Sequence, residues 1–237
     1  MKTEAIQYHC GDLACEGYVA HAREPGSRRP GVLICHAWMG QDDFAREKAE
    51  ALARLGYVGF AADLYGAGNR ATTKEEATAL MTPLVEDRGG ELKRRLLASL
   101  DAMKALDAVD ASRVAAIGYC FGGLCAIDIA RHGADLRGAV AFHGLLGGLG
   151  TTPASVKARV LALHGWDDPM ATPDQVQGFA EEMTAAGADW QLHAYGGTMH
   201  AFTNPSANDP DFGTVYSQRA DVRSWRTMEC FLEEVFA

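Results

Sequence analysis

Short apolar runs bounded by glycine and turn residues recur along the chain, separated by stretches of helical spacing. Residues 3–8 and 13–22 are joined near Gly11-Asp12, which predicts an antiparallel hairpin at a sheet edge. Arg23 to Pro30 reads as a loop. Gly31-Val32-Leu33-Ile34-Cys35 and the run 56–62 have the length of buried strands, with a helix from about Asp42 to Leu55 between them. Residues 66–73 form a polar, glycine-containing loop, and 74–106 read as helix interrupted near Pro83 and around Gly89-Gly90. Further strands fall at 113–117, 137–142, 159–163 and 190–195, with helices at 124–131, 173–186 and 216–236. Strands alternating with helices predict an α/β protein: a mostly parallel central sheet of about eight strands, an N-terminal antiparallel edge hairpin, and helices on both faces. A single domain over residues 1–237 is expected, with a lid-like excursion at about 66–106, where such folds place substrate pockets.

Composition narrows the classes. The chain of 237 residues is 48% hydrophobic and 22% charged, enough to bury a sizeable core. Its net charge of -9 offers no basic face for nucleic acid, and Lys93-Arg94-Arg95 is the only basic run. Residues 1–5 lack the apolar core of a signal peptide and no stretch has the length of a membrane span, so a cytoplasmic protein without a membrane partner is expected. The six cysteines, Cys10, Cys15, Cys35, Cys120, Cys125 and Cys230, are then expected reduced. Cys35, Cys125 and Cys230 sit in apolar runs and read as small core residues.

The chemistry centres on Gly118-Tyr119-Cys120-Phe121-Gly122-Gly123, between a buried strand and a helix. A turn this sharp strains its central residue, and the glycines keep side chains out of the way. The pattern G-x-C-x-G is a nucleophile elbow of the α/β-hydrolase fold with sulfur in place of oxygen. A thiol needs a base, and the base an orienting acid. Gly165-Trp166-Asp167-Asp168-Pro169 and Gly196-Gly197-Thr198-Met199-His200 leave later strands and supply both, in the chain order nucleophile, acid, histidine. Asp168 is favoured as the acid and Asp167 is the alternative, since one residue of loop register is not readable from sequence. Oxyanion donors are expected from the amides of Phe121 and Trp38. His36, His143 and His164 also close strands and are candidates to line the pocket.

These segments resemble the dienelactone hydrolase (carboxymethylenebutenolidase) family. The likeness extends over most of the chain, through His36-Ala37-Trp38-Met39-Gly40, Asp63-Leu64-Tyr65-Gly66, the elbow, the Asp168 loop and His200-Ala201-Phe202-Thr203-Asn204-Pro205. It implies Cys120 as nucleophile, Asp168 as acid and His200 as base, with Trp38 and Phe121 as oxyanion donors. Ala37 and Asn204 stand where better-known members carry a glutamate and a substrate-binding arginine. His36, Ala37, Tyr65, Arg70, Arg88, His143, Phe202 and Asn204 are the substrate-pocket candidates. The expected activity is hydrolysis of a small carboxylic ester or lactone through a thioester, with phosphotriesters as side substrates and no cofactor or metal. An acyltransferase on the same triad and a non-catalytic binding protein of this fold are the alternatives; a monomer or small homo-oligomer is expected.

Overall fold

Two of the apolar runs, Val58–Ala61 and Gly138–Phe142, are buried at every position, which a strand achieves only when both of its faces are covered. The computed structural model of the chain describes residues 1–22, 28–150, 153 and 155–237; the expected loop at 23–30 lies mostly outside them. Its main sheet has eight strands. The chain groups into two compact units, Met1–Ile117 and Gly118–Ala237.

In the first unit, β1 (Lys2–Cys10) and β2 (Leu13–His21) form the antiparallel hairpin. β2 pairs antiparallel with β4 (Val58–Ala61), and β4 pairs parallel with β3 (Arg29–Cys35). Helix α1 (Asp43–Arg54) starts where the Asp42 carboxylate accepts the Ala45 amide, and packs on β2, β3 and β4. Gly59 allows this approach: a Cβ there would lie 2.4 Å from the Ala49 carbonyl oxygen. Helices α2 (Lys74–Glu86) and α3 (Glu91–Lys104) follow, then β5 (Val109–Tyr119), which continues into the second unit.

The second unit opens with α4 (Phe121–Arg131), buried along its whole length. Its Arg131 guanidinium is buried, with Asp128 at 3.0 Å, Glu182 at 2.5 Å and the carbonyls of Leu146 and Gly147 as further acceptors. Every charge in this cluster is paired, as burial demands. Strands β6 (Gly138–Phe142), β7 (Arg159–Gly165) and β8 (Trp190–Tyr195) run parallel, and α6 (Gln218–Phe236) packs its apolar stripe on β6 and β7. Helix α5 (Pro173–Ala185) connects β7 to β8, with Pro173 at its first turn.

Three local features differ from the sequence expectation. Pro83 lies inside α2 rather than interrupting it. It is exposed, so the carbonyl that loses its helical donor can turn to water. The break falls at the second expected interruption, Asp87–Gly90, where the Asp87 carboxylate accepts the Glu91 amide. Cys230 is exposed rather than in the core, because it points away from the Met228, Phe231 and Leu232 stripe of α6. A two-stranded ribbon, β9 (Asn208–Asp209) with β10 (Thr214–Val215), occupies a stretch to which the apolar pattern assigns no element.

The sharpest packing constraint is glycine against backbone at the start of α4. A Cβ on Gly118 would lie 1.8 Å from the Gly122 carbonyl oxygen. Gly118→Ala is expected to lower the unfolding free energy by at least about 2 kcal/mol. Gly178→Ala, at an exposed helical position with open space around it, is expected to raise it by about 0.5–1 kcal/mol. Urea unfolding of the two variants checks both signs.

Candidate active site

Only three non-glycine residues among those described have positive φ: Cys120 at 56°, His143 at 39° and Ala201 at 56°. For L-residues this is a costly region, occupied when the surroundings enforce it. All three belong to the second unit. Cys120 is the N-cap of α4, and no side chain caps that helix. Its strain follows from close approach on both flanks. Gly118 abuts Gly122 as described, and a Cβ on Gly123 would lie 2.7 Å from Cα of Gly144. The chain must turn within one residue, which leaves the thiol half-exposed at the mouth of a helix N-terminus.

The acid and the histidine come from the ends of β7 and β8. The loop after β7 is stitched to the loop after β8 by Trp166 N–H to the Tyr195 carbonyl at 3.0 Å and Asp167 N–H to the Thr198 carbonyl at 2.9 Å. Asp168 is 3% exposed, whereas Asp167 is exposed. One Asp168 oxygen accepts the Met170 amide at 2.8 Å; the other lies 2.7 Å from Nδ1 of His200. The carboxylate thus orients the ring and fixes which nitrogen faces outward. The His200 backbone is held on both sides by the small ribbon, with its N–H on the Gly213 carbonyl at 2.9 Å and its carbonyl on the Val215 amide at 3.1 Å.

Nε2 of His200 is buried and has no hydrogen-bond partner. Burial opposes charge on this ring. The charge of the neighbouring Cys120 sulfur and the hydrogen bond and charge of Asp168 outweigh it and push His200 up to about 10. A raised value means that the imidazolium persists above the ordinary histidine range, the state that pairs with a thiolate. Burial pushes the Cys15 thiol up to about 11 and the Cys35 thiol up to about 12, which keeps both protonated. His164, beside this pair, is buried and lowered by that burial, so it stays neutral.

Phe202 is fully buried, edge-on to His143 at 5.0 Å and to Tyr195 at 5.6 Å, so it packs beneath the site. Asn204 is exposed and its side chain accepts the Ser206 amide, a turn contact. The other candidates lie in the first unit. His36 accepts the Leu64 amide at Nε2 and donates from Nδ1 to the Ala37 carbonyl, which fixes it as a neutral ring. Tyr65 stands edge-on to His36 and donates to the Trp38 carbonyl at 2.9 Å. Arg70 reaches the Gln41 amide oxygen at 3.4 Å, and Arg88 is half-buried just beyond α2. Thr203 carries no signal in the sequence, where a hydroxyl between Phe202 and Asn204 reads as loop; in the structure it is 1% exposed and hydrogen-bonded to His143 at 2.8 Å. Among the described residues, no group of three or more His, Cys, Asp or Glu could hold a metal ion, and no helix is long and apolar enough to cross a membrane.

The chain is similar to known proteins along its length. The model of the dienelactone hydrolase family matches residues 15–236. Protein usf of Aquifex pyrophilus is 26% identical, with 98% of each chain covered. Among solved structures, m3DLH superposes with a TM-score of 0.94 at 36% identity, covering 100% of this chain and 99% of that one. The dienelactone hydrolase-like promiscuous phosphotriesterase P91 from metagenomic libraries gives 0.93 at 33% identity, with the same coverage.

The electrostatics yield a direct spectroscopic expectation. In an NMR titration of the ring nitrogens, His200 remains protonated at pH 8, where an ordinary histidine is neutral, and loses its proton near pH 10. Because the Cys120 sulfur supplies the largest upward influence, Cys120→Ala lowers that midpoint, and Asp168→Asn lowers it as well.

Proposed function

This chain belongs to the dienelactone hydrolase family, and from that premise we propose that it hydrolyses carboxylic esters or lactones through a thioester on Cys120. The observation that carries this reading is the buried His200, braced by Asp168 on one nitrogen and charged by the Cys120 sulfur beside the other. A thiolate paired with an imidazolium is a nucleophile and a proton donor held side by side.

The thiolate attacks the substrate carbonyl carbon and the C=O electrons move to oxygen. The amide of Phe121, at the start of α4, stabilises that oxyanion. As the C–O bond breaks, Nε2–H of His200 protonates the departing alkoxide, leaving a neutral imidazole. That imidazole then takes a proton from water. The resulting hydroxide adds to the thioester, and collapse expels the thiolate with the acid product. Asp168 holds the ring through both half-reactions and stabilises it whenever it is charged.

Phosphotriesters enter as a second substrate class. P91, at 33% identity over the whole chain, is a promiscuous phosphotriesterase. A thiolate held in place also attacks a phosphorus centre when the leaving group is sufficiently activated, so the same three residues serve both.

Cys120→Ala is expected to abolish turnover of aryl esters, lactones and phosphotriesters alike. Asp168→Asn is expected to lower kcat at least about 100-fold by releasing the ring. Mass spectrometry of acid-quenched enzyme should find an acyl adduct on Cys120 during aryl-ester turnover. Full turnover by Cys120→Ala, with the adduct elsewhere or absent, defeats the reading.

A further inference from the structure

A second imidazole stands between the nucleophile and the loop that carries His200, and the chemistry above does not use it. His143 follows β6, is 2% exposed and has a φ of 39°. The Cys120 amide points both to the Phe142 carbonyl and to Nδ1 of His143, each at 3.1 Å. A backbone N–H can only donate, so Nδ1 bears a lone pair and the ring proton resides on Nε2. Nε2 lies 2.8 Å from the Thr203 hydroxyl and donates to it. The tautomer is therefore set from both ends. The same ring meets His200 edge-on at 5.1 Å and Phe202 at 5.0 Å.

One neutral ring thus touches the backbone of Cys120, the imidazole of His200 and the segment just after His200. The backbone supports this placement. His143 takes a positive φ to aim its ring at the elbow, and Gly144 beside it approaches so closely that a Cβ would lie 2.9 Å from the Gly123 carbonyl carbon. The strained residues at 120 and 143 are in this way linked directly, and the same side chain reaches Thr203, two residues beyond the strained position 201.

We propose that His143 is a positioning residue for the hydrolysis, a neutral Nε2–H imidazole that ties the nucleophile elbow to the His200 loop through Thr203. It keeps the sulfur aligned with Nε2 of His200 while the thioester forms and breaks. The proposal rests on the reading of Cys120 as nucleophile, and it assigns His143 no proton transfer and no contact with substrate.

The test compares His143→Phe, His143→Asn, Thr203→Val and the last two combined, with Cys120→Ala as reference. The readouts are the acylation burst with an aryl ester, its KM, and the rate of Cys120 alkylation by iodoacetamide. His143→Phe keeps the ring volume but loses both hydrogen bonds; acylation and alkylation are expected to fall roughly 10–100-fold, with KM moving less than about threefold. His143→Asn retains an acceptor at the Nδ1 position and recovers part of that loss. Thr203→Val costs the same step as His143→Asn, and combining the two adds nothing further. A folded His143→Phe enzyme that acylates within about twofold of the parent, while Cys120→Ala is inactive, overturns the positioning role alone. Should His143→Phe fail to fold, the isosteric Thr203→Val decides: unchanged acylation overturns the role, and a fall at unchanged KM supports it. Full activity in Cys120→Ala would instead remove the thioester chemistry and this proposal with it.

Discussion

The contact of Gly118 with the Gly122 carbonyl oxygen, and of Gly123 with Gly144, is the constraint from which the second unit's site follows. Backbones this close leave no room for a gradual bend between β5 and α4. The whole change of direction falls on Cys120, which is forced to a φ of 56°. That posture costs energy, and it also lifts a side chain out of the glycine surface at the start of a helix, where backbone dipoles favour a negative sulfur. Position and electronic state thus have one steric cause.

The residues that face this strained cysteine are equally well held. The carboxylate and imidazole sit in loops after adjacent parallel strands, β7 and β8, and backbone hydrogen bonds join those loops directly. Gly165 allows the approach, since a Cβ there would lie 2.6 Å from the Thr198 carbonyl oxygen. The ribbon after His200 then grips the histidine's own backbone, and Gly213 in that ribbon sits where a Cβ would be 2.2 Å from the Pro169 ring. Acid loop, histidine loop and ribbon are one packed layer. The buried Arg131 cluster, with its carboxylates and carbonyl acceptors, anchors the helix that the elbow begins; stripping it of one partner would leave an uncompensated charge in the core, at a cost of ~3–5 kcal/mol.

Electrostatics separates the cysteines by the same logic. Burial holds Cys15 and Cys35 as thiols, and at Cys15 it outweighs the opposing charge of Arg95 and the hydrogen bond of Tyr8. Beside Cys120 it is the His200 ring that is raised, by that sulfur and by the Asp168 carboxylate, against the opposing effect of burial.

The sequence by itself determined the order of strands and helices, the elbow, and the three segments that bear Cys120, Asp168 and His200. These follow from apolar periodicity and turn sterics, which act over a few neighbouring residues and are written in local order. Tertiary structure decided what depends on partners far along the chain. Asp168 rather than Asp167 meets His200, 32 residues on. His143 reaches the Cys120 amide across 23 residues and Thr203 across 60, and the ribbon is bridged to His200 at Thr214. Likewise Pro83 stays within its helix and Cys230 faces out, because burial and not residue type governs each. A hydrogen bond between distant loops has no period to read. It exists only once the sheet has set its strands side by side.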